Sequence, residues 1–257
     1  MTDRRVTTDP ERVDRHEPAR ITQPVADLCS APGGARDRQL LYGERATILG
    51  THAELNYIRA EKDGYIGFVL SSALGSPQET THQVTALATH AYESADFKSA
   101  EQATLSFGSC LSGLSEGPRF LETEIGFIPK QHIAPVGWHA RDPVSTARLF
   151  IGTPYLWGGN SRLGLDCSGL VQAALLSCGV PCPGDSDQQM AALGSAFSGP
   201  VRPGDLYFWR GHVAMAATPD TLIHANAHAM ATVFEPLESA LSRIAATDGP
   251  LLAQRRL

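Results

Sequence analysis

Apolar and polar positions alternate over short runs through the first half of the chain and change to helical spacing after Asp142. Between about Gln39 and Leu74, QLLYGERATILGTHAELNYIRAEKDGYIGFVLSSAL breaks into apolar segments of a few residues separated by polar or Gly positions. That is the signature of short, half-buried strands. Lys62-Asp63-Gly64 is a turn signal between two strand candidates, Tyr57 to Ala60 and Tyr65 to Leu70, because Gly supplies the positive φ a tight hairpin needs. The stretch predicts a small barrel of short strands.

A second stretch, from about Thr85 to Val136, repeats the theme in ATHAYES, ATLSFGSCLSGL and RFLETEIGFIPKQHI. DGYIGFV and ETEIGFIP each place an apolar-Gly-Phe-apolar strand near the end of its unit, which points to an internal duplication. Beyond Asp142, VSTARLFIG and CSGLVQAALLSCG carry apolar residues at helical spacing, the second closed by Gly179 where a left-handed residue is favoured. DLYFWRG, HVAMAAT and TLIHANA follow as three strand candidates divided by Gly211 and Pro219-Asp220. Helices first and an antiparallel sheet after them make an α+β domain. The expected organisation is a loose N-terminal segment (1–24), two small all-β barrels (25–78 and 79–138) and an α+β domain (139–257).

Composition narrows the partners. The 257 residues are 42% hydrophobic, enough for more than one packed core. The formal charge is −6, with no Lys/Arg run long enough to track a phosphate backbone, so nucleic acid is set aside in favour of small molecules and peptides. The five cysteines, Cys29, Cys110, Cys167, Cys178 and Cys182, are odd in number and scattered, which fits reduced thiols better than a disulfide framework. Cys178 and Cys182 have no second Cys or His pair at matching spacing, so no metal site is expected. The first twenty residues mix both charge signs without an apolar core, and no later run approaches the ~20 apolar residues of a membrane span. The expected location is the cytoplasm, away from membranes.

Cys167 lies in LGLDCSGLVQAAL, where a Gly-containing loop passes into a helix. The partial positive charge and unpaired N–H groups of a helix start favour a thiolate and can later hold an oxyanion. Such a nucleophile needs a base and a group that orients the base. His212 opens HVAMAAT and His224 sits 12 residues later in TLIHANA with a turn between, so an antiparallel hairpin could set them side by side. His228 also lies close to the pair, whereas histidines such as His16 and His90 read as structural.

Six segments in order then resemble the NlpC/P60 family of cell-wall cysteine peptidases: GTPYLWGGNS, LDCSGLVQ, GDSDQQ, RPGDLYFW, GHVAM and LIHA. The resemblance runs from about Asp142 to the C-terminus and implies a papain-like α+β catalytic domain. It implies Cys167 as nucleophile, His212 as general base, His224 as the residue that orients it, and Tyr155 beside the nucleophile with its hydroxyl on the oxyanion. The N-terminal region resembles bacterial SH3 domains, and two of these before the core resemble γ-D-glutamyl-L-diamino acid endopeptidases. That likeness implies recognition of a free L-Ala amine by Glu44 in LLYGER and Tyr65 in DGYIGF. Trp157, Asp166, Ser168 and Ser186 are implied to line the substrate pocket. Pro183-Gly184 stands where many relatives have Pro-Arg.

The function expected is hydrolysis of the γ-D-glutamyl-diamino acid bond in murein-derived peptides such as L-Ala-γ-D-Glu-diaminopimelate, with no metal or organic cofactor. The rivals are amidase or acyltransferase chemistry at the same triad and a non-catalytic module that binds peptide or wall fragments.

Overall fold

In the computed structural model, which describes residues 3–257, the alternating stretch folds into one antiparallel sheet. Its strands are β1 (Glu17–Ile21), β2 (Val25–Cys29), β3 (Arg36–Leu41), β4 (Arg45–His52), β5 (Leu55–Ala60), β6 (Ile66–Leu70) and β7 (Leu74–Gly75), in the order β3-β2-β6-β5-β4-β1-β7. Period-two alternation gives the sheet two apolar faces. Leu28, Leu40, Ile58, Tyr65 and Val69 pack on one, and Leu49, Tyr57, Ile66 and Phe68 on the other. Gly64 takes the expected positive φ of 76° at the turn between β5 and β6.

The loose segment expected over 1–24 is corrected for residues 3–24, its first two residues lying outside the described ones. β1 pairs with β4 and β7, and Ala19, Arg20 and Ile21 are buried. The chain ahead of β1 lies along the second apolar face: Val13 packs there, Asp14 and Arg15 N–H donate to the Leu49 carbonyl, and Ile66 N–H donates to that of Arg5. Gly50 permits the approach, since a Cβ there would sit 2.3 Å from the Arg12 carbonyl oxygen. The mixed charges that read as a solvated tail pair off as Arg4–Asp37 and Arg12–Asp9.

A second group of strands follows: β8 (His82–Val84), β9 (Ala88–Tyr92), β10 (Glu101–Ser106), β11 (Cys110–Leu111), β12 (Gly113–Glu116), β13 (Phe120–Thr123), β14 (Gly126–Pro129) and β15 (Ile133–Pro135). They form the sheets β10-β9-β14-β13-β12 and β11-β8-β15. The first of these reproduces the order β3-β2-β6-β5-β4, and the repeated Ile-Gly-Phe of Ile66 and Ile125 falls at the start of corresponding strands. The split into two sheets departs from the first group.

Both groups belong to one unit, Met1–Trp138. Tyr42 enters the core of the second group beside Val84, Leu105, Leu111 and Leu121, and its carbonyl accepts from Cys110 N–H. Its hydroxyl donates to Glu124 Oε1 at 2.6 Å, and Arg20 and Gln78 hold the same carboxylate. Tyr42→Phe removes one hydrogen bond to a charged acceptor and is expected to lower stability by about 1.5 kcal/mol. Urea unfolding would show this as a fall in midpoint at unchanged slope; an unmoved midpoint overturns it.

The other unit, His139–Leu257, is α+β. It runs α1 (Pro143–Leu149), β16 (Asn160–Ser161), β17 (Gly164–Leu165), α2 (Cys167–Ser177), α3 (Ser186–Ala192), β18 (Ser195–Ala196), β19 (Leu206–Trp209), β20 (His212–Thr218), β21 (Thr221–Asn226), β22 (Ala231–Pro236), α4 (Leu237–Thr247) and β23 (Ala253–Arg256). Asp142 caps α1, and Gly179 closes α2 with φ 74°. The six-stranded sheet β18-β23-β19-β20-β21-β22 has Tyr207, Trp209, Ala214 and Ala216 against Leu237, Ala240 and Ile244 of α4. α2 also packs against β20 and β21. Among the described residues no helix is long and apolar enough to cross a membrane.

Candidate active site

Asp166 starts the site. Its extended backbone precedes α2, Oδ1 accepts from Gly169 N–H at 2.6 Å and from the Ser168 hydroxyl at 2.9 Å, and Oδ2 accepts from Gly158 N–H at 2.9 Å. One buried carboxylate thus caps the helix and ties it to the loop carrying Tyr155 and Trp157. The approach is close enough that a Cβ on Gly169 would lie 2.6 Å from the Gly159 carbonyl oxygen. Gln189 of α3 completes the brace by donating to the carbonyls of Ser168 and Pro183.

Cys167 is therefore the first residue of α2, 6% exposed, with Sγ 3.9 Å from the Gly211 carbonyl oxygen. The next residue, His212, opens β20. Its Nε2 lies 3.0 Å from Nδ1 of His224 on β21, and His224 Nε2 lies 2.9 Å from Glu235 Oε2 on β22. Arg243 of α4 donates to both oxygens of Glu235, at 2.8 and 2.6 Å. His228 is exposed in the turn between β21 and β22, so His224 is the partner that His212 meets. Tyr155 is held by strand-like bridging to Leu165 and by donating its N–H to the Met230 carbonyl. Burial, reinforced by Cys167 and Asp166, pushes its hydroxyl up, which keeps it a proton donor.

Burial also drives both imidazoles well below their ordinary value; for His212 the His224 and Arg243 charges add to this, and for His224 the Glu235 carboxylate opposes it. Unfolded imidazoles take up protons as pH falls through about 6.5, while the buried pair does not, so the unfolded state gains and the fold weakens. Thermal unfolding of Cys167→Ala between pH 8 and pH 5 should show Tm falling once pH passes below about 6.5; a flat or rising Tm overturns this.

The other residues implied by the resemblance are placed as follows. Ser168 spends its hydroxyl on Asp166, Ser186 is buried at the start of α3, and Trp157 is 67% exposed. In the other unit, Tyr65 is 2% exposed within the core of the first sheet. Glu44 is half-buried, with Oε1 accepting from Lys62 at 2.7 Å and a buried Oε2 that makes no hydrogen bond. Burial raises its carboxyl above the usual range against the pull of Lys62. Sequence reasoning missed Glu235 and Arg243; the signal was the register of β21 on β22, which sets His224 opposite Val233 and Glu235 two positions on.

Two family models match separate parts of the chain. A model described as NlpC/P60 family matches residues 152–243, and one described as bacterial dipeptidyl-peptidase Sh3 domain matches 28–74. This chain carries an NlpC/P60 domain and a bacterial SH3 domain. Dipeptidyl-peptidase 6 of Lysinibacillus sphaericus is 35% identical over 40% of this chain and 41% of its own. Gamma-D-glutamyl-L-lysine dipeptidyl-peptidase of Bacillus subtilis (strain 168) is 29% identical over 66% of this chain and 63% of its own. The chain thus spans less than two thirds of these curated relatives. A crystal structure of an NlpC/P60 family protein from Bacillus cereus ATCC 10987 shares the fold, with TM-score 0.79, 21% identity, and coverage of 93% of this chain and 99% of that one.

Proposed function

We propose that the chain is a cysteine peptidase that hydrolyses the γ-D-glutamyl-diamino acid bond in murein-derived peptides beginning with free L-Ala. The observation that carries it is the hydrogen-bonded pair His212–His224 together with a cysteine at the start of a capped helix whose Sγ lies 3.9 Å from the carbonyl oxygen of Gly211, the residue before His212. The thiol passes its proton to His212, and Sγ attacks the γ-carbonyl of D-Glu. The oxyanion is held by N–H groups at the start of α2 and by the Tyr155 hydroxyl. Imidazolium His212 protonates the departing amine of the diamino acid, leaving a thioester. Water, losing a proton to His212, then releases the γ-carboxylate and restores the thiol.

The substrate class is supported by similarity to a dipeptidyl-peptidase 6 and a gamma-D-glutamyl-L-lysine dipeptidyl-peptidase. The resemblance assigns the free L-Ala amine to Glu44, whose carboxylate accepts from Lys62 in the first unit. Incubation with L-Ala-γ-D-Glu-diaminopimelate, followed by mass spectrometry, should show free L-Ala-D-Glu; no cleavage sinks the proposal. Acetylating the L-Ala amine, or Glu44→Gln, should each lower kcat/KM by roughly 100-fold, the cost of a lost charged hydrogen bond. Equal turnover of the acetylated peptide would instead favour a broader amidase.

A further inference from the structure

We propose that Glu235 is a positioning residue that fixes the tautomers of both histidines and so leaves Nδ1 of His212 bare as the base for Cys167. The inference rests on the Cys167–His212 reading above but not on its substrate. An ionised carboxylate only accepts hydrogen bonds. Glu235 is held in that form by two Arg243 contacts, so the 2.9 Å contact to His224 Nε2 requires a proton on that nitrogen.

In a neutral imidazole the other nitrogen is then an acceptor. His224 Nδ1 must accept from His212 Nε2–H across 3.0 Å. The His212 proton is thereby committed to Nε2, and its Nδ1 keeps a lone pair. Without Glu235, His224 is free to carry its proton on Nδ1 and donate to His212 Nε2. His212 would then hold its own proton on Nδ1 and could not take the thiol's.

When Cys167 ionises, the positive charge formed on His212 is felt by His224 from β21, Glu235 from β22, and Arg243 and Asp248 from α4 and its end, while Tyr155 faces the charge on Cys167. The carboxylate is the attractive member of the group that hydrogen-bonds the histidine chain directly. Arg243 sits one step further away, on Glu235, so its own loss should matter less.

Nitrogen-15 histidine spectra of the unmodified protein near pH 7.5 test the first half: both His212 and His224 should carry their proton on Nε2. A neutral ring of either protonated on Nδ1 and bare at Nε2 overturns the proposal, whereas a second proton on His212 Nδ1, beside the one on Nε2, is the proton taken from the thiol and supports it; this needs no variant to fold. The second half is read from the rate of Cys167 alkylation against pH, followed by mass of the Cys167 peptide. Glu235→Gln should slow alkylation at pH 7 by on the order of tenfold and move its pH dependence upward, while Arg243→Met should slow it by no more than about threefold. Equal slowing by both variants would make the pair a simple tie between β22 and α4 and overturn the proposal. Intact alkylation behaviour with no peptide cleavage would sink the substrate reading alone.

Discussion

Cys167→Ala is expected to lower kcat for release of L-Ala-D-Glu by on the order of 10⁴-fold or more, with little change in stability. The magnitude is that of removing the nucleophile from a covalent mechanism, where positioning and the oxyanion site alone retain only a small residue of catalysis. The fold should tolerate the change because the cap on α2 comes from Asp166 and not from the thiol. No other thiol replaces it. Burial pushes Cys110 up to about 12 and raises Cys29 and Cys178, so none of the three is readily a thiolate at neutral pH. Cys182 is 3% exposed, with its Sγ against the Pro183 carbonyl. Burst titration with a thiol reagent should therefore consume one fast equivalent, lost in Cys167→Ala. Residual turnover above about 1% in the variant would overturn the nucleophile assignment.

Much of this site was legible because its chemistry is local in sequence. A helix whose first residue is Cys167 and a hairpin carrying His212 and His224 both follow from spacing and turn signals, and Gly211 and Gly179 sit where the chain needs positive φ. What stayed hidden depends on pairing between distant segments. The strand β1 looked like a charged tail because EPARI has only two large apolar atoms groups to show, Ile21 and the Arg20 stem, and its burial comes from lying between β4 and β7. α4 was readable in principle, since Leu237, Ala240, Leu241 and Ile244 recur at helical spacing. Glu235 was not, since an acid in ATVFEP reads as a solvated strand residue until the β21–β22 register brings it to His224.

Asp166 is where a reading by resemblance and a reading by geometry give different results, and a substitution separates them. As a substrate contact it would leave stability alone and raise KM when replaced. As the cap of α2 its loss strips acceptors from Gly158 and Gly169 N–H in a buried site. Asp166→Ala is therefore expected to cost about 3 kcal/mol, the sum of a lost N-cap and a second charge-assisted bond. Asp166→Asn should cost less, since Oδ1 can still cap Gly169 while its amide must face the Gly158 N–H as a second donor. Where the variants remain folded, fraying at Cys167 should lower kcat more than it raises KM, because the displaced group is the nucleophile itself. Thermal unfolding paired with steady-state kinetics checks this. An unchanged Tm with a raised KM would return Asp166 to the substrate, and the start of α2 would then owe its position to Gln189 and the Gly159–Gly169 contact alone.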